Sequence, residues 1–227
     1  MMPASESGPK TLGTLWMLNL EGFSLDGPAP RVTATFQRVD PEAAPLIAHA
    51  MELEDPAEVL QRFAGGKRCY IGNVEGMLAT YGWVTFDEEW IGELHLRIRL
   101  APGEAYIWNC ATLPAYRGLR LYPALLGYMV NELHAEGMQR IWIGADADNL
   151  PSQKGMVLAG FQPVVDMVLD RALALRMTWV RGCPGVPEKF VEDARRALLG
   201  ERYEAWRTAL SLTSSNAQLV SLDRGVI

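Results

Sequence analysis

The chain has 227 residues, 49% of them hydrophobic and 21% charged, enough apolar material for a real core and against disorder along its whole length. A formal net charge of −6 argues against a general nucleic-acid coat or a basic membrane-surface protein. Three cysteines without paired spacing and three histidines without an HExxH arrangement supply neither a disulfide framework nor a zinc site, so no metal is expected.

Residues 1–30 carry Ser, Gly and Pro around one apolar patch, Leu12 to Phe23, which reads either as a leader or as a strand that docks on the rest. Val32 to Phe36 alternates and is β-branched, a strand. Pro41 with acidic Glu42 opens a helix that runs through Met51, and a second short helix, Pro56 to Phe63, stops at Gly65-Gly66. Strands Arg68 to Val74 and Met77 to Phe86 flank Glu75-Gly76 as a tight hairpin. Glu93 to Leu100 alternates apolar with polar, a strand with one wet face, and Pro102-Gly103 turns the chain into a strand over Ala105 to Leu113. Leu121, Leu125, Leu126, Met129, Val130 and Leu133 form one buried helical face that ends near Gly137. A central strand over Ile141 to Ala145, a short helix from Ser152 to Ala159 and a return to the sheet from Phe161 follow. Pro187 to Leu210 is an amphipathic helix or helix pair, broken at Gly200. The fold class is therefore α/β with a mixed sheet, divided into a segment over 1–30, a main domain over 31–180 and a C-terminal helical extension over 181–227.

The stretch from Asn109 to Phe161 carries the chemistry. Cys110-Ala111-Thr112 ends a strand, and Arg117-Gly118-Leu119-Arg120-Leu121-Tyr122 leads directly into a helix. Amides at a helix start sit at the positive end of its dipole and bind anions, phosphate above all. Gly118 admits close backbone approach, and Arg117 and Arg120 supply charge-assisted contacts. A plain loop with two solvated arginines fits the local pattern equally well.

The following residues add to this. Asn149-Leu-Pro-Ser152-Gln-Lys-Gly-Met-Val-Leu-Ala-Gly160-Phe161 stands one helix and one strand downstream of the turn. The two blocks together resemble the GNAT superfamily of acyl-CoA-dependent N-acyltransferases, over residues 32–177 and most firmly over 105–163. The resemblance implies a mixed, mostly antiparallel sheet with a splayed parallel strand pair, flanked by helices. It also implies acetyl-CoA or another acyl-CoA as co-substrate. Arg117 to Tyr122 would cradle the diphosphate, Cys110, Ala111 and Thr112 would pair with the pantetheine arm, and Asn149 and Ser152 would hold that arm. Three departures stand out. The first Gly of the family's turn is Arg120 here and its last small residue is Tyr122. The tyrosine acid that many members carry seven residues after the Asn is Met156. The strand carboxylate of some members is Gly144.

With those two groups replaced, an amine near pK 10 still has to lose a proton, and a carboxylate can take it. Glu93 and Asp146 are the candidate bases, with Glu104 behind them; a solvated strand face and a loop carboxylate are their competing explanations. Asn109 lies where the acyl group would sit. Cys110 is a small core residue rather than a nucleophile, and Asn149 is either a cofactor contact or the cap of the helix after it. Trp83, Trp90, Trp108 and Trp142 line an acceptor pocket or fill the core. The expected function is transfer of an acyl group, acetyl or another short one, to a primary amine of a small molecule. The protein is expected to be cytoplasmic, bound to neither nucleic acid nor membrane, and able to form a homodimer. The alternative is a catalytically silent module of the same fold that senses acyl-CoA or binds a protein.

Overall fold

The computed structural model describes residues 10–22, 27–91, 96–169 and 178–200. Among the described residues, ten strands form an eight-stranded sheet in the order β10-β9-β1-β8-β7-β4-β3-β2 and a separate two-stranded ribbon, β5-β6. The strands are β1 Lys10–Asn19, β2 Ala34–Val39, β3 Arg68–Val74, β4 Met77–Thr85, β5 Glu88–Ile91, β6 Leu96–Arg99, β7 Glu104–Thr112, β8 Arg140–Asp146, β9 Gln162–Leu169 and β10 Thr178–Gly182. The helices are α1 Ala44–Ala50, α2 Ala57–Ala64, α3 Leu121–Ala135, α4 Leu150–Leu158 and α5 Glu188–Leu199. All ladders are antiparallel except β7 with β8. None of the described helices is long and apolar enough to cross a membrane.

Each face of the sheet is covered because the strands are apolar on both sides. Ala105 and Ile107 of β7 and Trp16 and Leu18 of β1 pack with Leu125, Met129 and Leu133 of α3 and Met156 and Ala159 at α4. On the opposite face Leu15, Met17, Tyr106 and Trp142 meet Val191, Ala194 and Leu198 of α5. Cys69, Ile71 and Trp83 meet Ala44 and Ile47 of α1 and Val59 of α2. Arg140 fastens α5 to the sheet, pairing at 2.8 Å with Glu104 and at 2.9 Å with Asp193.

Within the apolar patch near the start of the chain, residues 12–19 belong to β1, which lies between β8 and β9 and pairs with both. Of the strand expected over 93–100, Leu96–Arg99 is described as β6 and pairs with β5 outside the main sheet; the candidate base Glu93 lies outside the described residues. The helix over 187–210 runs as α5 to Leu199, and its continuation past Gly200 is likewise outside them.

Candidate active site

β7 and β8 are paired only from Glu104/Arg140 to Ile107/Ile143. Beyond that point, among the described residues, the β7 ladder continues only with β4 and the β8 ladder only with β1. The two strands thus part at their C-terminal ends, the place where open α/β sheets bind ligands. A cleft of about 470 Å³ lies there. Trp108, Asn109 and Cys110 line it from one strand and Gly144, Ala145 and Asp146 from the other. Gly13 and Leu15 of β1, Tyr122, Asn149 and Ser152 complete the wall, with Glu89 and Trp90 of the ribbon. A larger cavity, about 1130 Å³, opens at the other end of these strands, around Glu104, Arg140 and α5. Its charged groups are largely spent on one another, as in the Arg140–Glu104 and Arg140–Asp193 pairs.

The β7 wall is shaped by a bulge. Gly82 of β4 faces two residues, Asn109 and Cys110, between the pairs Tyr81↔Ala111 and Trp83↔Trp108. Asn109 has φ +44, a left-handed conformation that asparagine tolerates better than most residues. Its Oδ1 accepts a bond from Arg62 Nη1 at 2.9 Å. Arg62 in turn lies over the rings of Trp83 and Trp108 at 5.2 and 4.8 Å. The Cys110 sulfur fits only because residue 82 is glycine, since a Cβ there would lie 2.7 Å from it. Burial pushes the Cys110 thiol up to about 12, which keeps it protonated at neutral pH. Thr80 Oγ1 donates to the Ala111 carbonyl at 2.8 Å and Arg117 Nε to the Thr112 carbonyl at 3.3 Å, which fixes the end of β7.

From there a single 3₁₀ turn, Pro114–Tyr116, brings the chain to the start of α3. Gly118 has φ +80, with open space where a Cβ would stand, and Arg120 caps the helix in the left-handed region at φ +58. No side chain caps α3. Among the described residues, the N–H groups of Gly118, Arg120, Leu121 and Tyr122 donate no hydrogen bond. A row of open amides flanked by Arg117 and Arg120 makes a locally positive site on an acidic chain. The Leu121 side chain is buried, so that residue offers only its backbone; Arg120 is exposed.

Tyr122 goes elsewhere than its position in the turn suggests. Its ring lies against α4 at Gly155, and its hydroxyl is 3.1 Å from Ser152 Oγ. Burial drives its phenol far above the ordinary range, so it remains a proton donor. Asn149 caps α4, its Oδ1 accepting from the Ser152 N–H at 3.2 Å. Met156 is 1% exposed and belongs to the core, so no proton donor stands there. Asp146 is exposed at the cleft mouth, and Leu119 lies in the turn between Gly118 and Arg120. Of the four candidate tryptophans, Trp90 and Trp108 line the cleft, while Trp83 and Trp142 are fully buried.

Glu89 is the group that the sequence hid. Its neighbour Glu88 turns outward to Arg97 and Arg99. Glu89 turns inward, 8% exposed, and pairs with Lys67 at 2.5 Å while accepting the Trp90 N–H at 3.0 Å. In a run of Asp87-Glu88-Glu89 only the strand alternation of β5 separates the two glutamates, and four residues are too few to reveal it.

Comparison with curated proteins gives no match. Among solved structures, an acetyltransferase of the GNAT family from Colwellia psychrerythraea is similar at 12% identity, with 70% of this chain and 55% of that chain covered and a TM-score of 0.49. The ribosomal-protein-S18-alanine N-acetyltransferase of Escherichia coli is similar at 17% identity, over 57% of this chain and 78% of that one, with a TM-score of 0.45. An aminoglycoside N-acetyltransferase in complex with CoA gives 15% identity, 56% and 91% coverage and a TM-score of 0.44. This chain spans about half the length of the Colwellia protein. The sequence profile of the acetyltransferase (GNAT) family matches residues 43–161, over half of the chain and the whole of the turn, the bulge and the β7–β8 gap. The chain belongs to the GNAT acetyltransferase family.

Proposed function

We propose that this protein moves an acyl group, acetyl or another short one, from coenzyme A to the primary amine of a small molecule. The observation that carries the reading is the end of β7–β8 pairing at Ile107/Ile143, next to a row of open amides at the start of α3. An acyl-CoA supplies an already activated thioester, so the residues have to hold it, orient an amine and move protons. The amides from Gly118 to Tyr122, with Arg117 and Arg120, suit a diphosphate. The gap along Cys110, Ala111 and Thr112 suits an extended arm that pairs like an added strand. Asn149 and Ser152 flank it, and the backbone N–H groups near Ala111 and Thr112 suit a carbonyl oxygen that gains charge.

Asp146 and Glu89 take the proton of the amine, and Asn109 orients the acyl group. Tyr122, protonated and inside the cleft, returns a proton to the departing sulfur in place of a donor at Met156. Calorimetric titration with acetyl-CoA and with CoA tests the reading first, and absence of binding at millimolar ligand ends it. Thiol release against a panel of amines tests turnover. The buried Met156 favours a second reading, a catalytically silent module that senses acyl-CoA; binding without turnover across the panel is its signature.

A further inference from the structure

The segment after residue 26 runs along α3 before entering β2. Gly127 makes the seat: a Cβ there would come within 3.0 Å of Pro28 Cδ and 3.2 Å of Gly27 Cα. Farther along the same segment, Arg31 reaches the turn that opens α3. Its backbone N–H donates to the Leu119 carbonyl at 2.9 Å, and its Nη1 donates to the Gly118 carbonyl at 3.1 Å.

Those two bonds set the direction of the amides. In a trans peptide the carbonyl of one residue and the N–H of the next point opposite ways, and no described peptide bond is cis. Holding the Gly118 and Leu119 carbonyls toward Arg31 therefore turns the Leu119 and Arg120 N–H groups to the other side of the turn. Both flanking residues, Gly118 and Arg120, are left-handed, and for Arg120 that conformation is costly unless its surroundings hold it.

We infer that Arg31 is a positioning residue for the diphosphate site: it touches no ligand, and it holds the α3 turn so that its amides face the anion. The inference rests on the acyl-CoA reading above. It is tested by the affinity of full-length wild type, Arg31→Ala and Arg31→Lys for CoA and for pantetheine, which lacks the nucleotide and diphosphate. Wild type is expected to bind CoA well above pantetheine. Arg31→Ala is expected to weaken CoA about tenfold, the scale of one lost hydrogen bond to a group in the site, while pantetheine affinity changes less than about twofold. Lysine keeps one donor for the Gly118 carbonyl and should recover part of the loss. Equal loss for both ligands, in step with a lowered unfolding midpoint, would mean general damage and overturn the inference, as would an unchanged CoA affinity. A wild type that binds neither ligand, or both equally, would instead refute the acyl-CoA reading and take this inference with it.

Discussion

The Tyr122 ring lies against Gly155 of α4, and replacing that glycine by alanine gives a signed, quantitative test. The added Cβ would lie 2.4 Å from Tyr122 Cδ1 and 2.6 Å from Cε1. Ordinary carbon contacts begin near 3.4 Å, so the ring must retreat by about 1 Å, and the cleft it lines offers room for that shift. Overpacking of this size costs about 1–3 kcal/mol, and the strained Tyr122–Ser152 bond adds about 1 kcal/mol. Alanine returns about 1 kcal/mol through its helix propensity. The net expectation for Gly155→Ala is a loss of about 1–3 kcal/mol, with a lower acyl-CoA affinity because the ring intrudes on the cleft. In a Tyr122→Ala background the obstacle is gone, and Gly155→Ala should stabilise the protein by up to about 1 kcal/mol. Urea unfolding of the four proteins gives the coupling directly. A neutral Gly155→Ala in the wild-type background, or the same penalty with and without the ring, would refute the packing described for Tyr122.

Glu89→Gln and Asp146→Asn are each expected to lower the turnover rate about 10²-fold or more if that carboxylate takes the amine proton, with acyl-CoA affinity retained; steady-state rates against calorimetric affinities rank the two. Cys110, with its thiol pushed up to about 12, should react with iodoacetamide at pH 8 at least about 100-fold more slowly than an exposed thiol, measured by mass spectrometry of the intact chain. Because its folded value lies above the ordinary value of 9.0, the unfolded chain loses this proton first, so stability should be full below pH 9 and fall as pH rises toward 12. Cys110→Ala should flatten that alkaline slope in thermal melts, and an unchanged slope would exclude this cause. Glu104→Ala leaves Arg140 with Asp193 alone in a largely buried setting and should cost about 3 kcal/mol in urea unfolding.

Local patterns carried the fold where neighbours in sequence are neighbours in space. The Glu75-Gly76 hairpin joins β3 and β4 directly, and the Leu125–Met129–Leu133 stripe is buried as its spacing requires. The start of α3 after its glycine turn and the Asn149 cap of α4 also lie within single short runs. Contacts between distant segments were not legible, apart from the splayed β7–β8 pair that the family resemblance implied. No local signal in Leu15-Trp16-Met17-Leu18 says that this strand sits between β8 and β9, since a strand buried on both faces shows a continuous apolar run and no alternation. The Asn109 bulge depends on Gly82 across the ladder, and the inward turn of Glu89 depends on Lys67. Tyr122 breaks the expected pattern of its turn, and Gly155, far along the chain, supplies the room that allows it.

The interior position of β1 has a consequence for how the chain is made. During synthesis this strand emerges ahead of the other described strands, yet its first partner on β8 follows only after roughly 120 further residues, and β9 comes later still. Until then an apolar segment with two open edges waits in the growing chain, exposed to wrong partners and to chaperones. Closure of the sheet is therefore a late event, and the wall of the cleft that Gly13 and Leu15 supply cannot exist before nearly the whole domain has been translated.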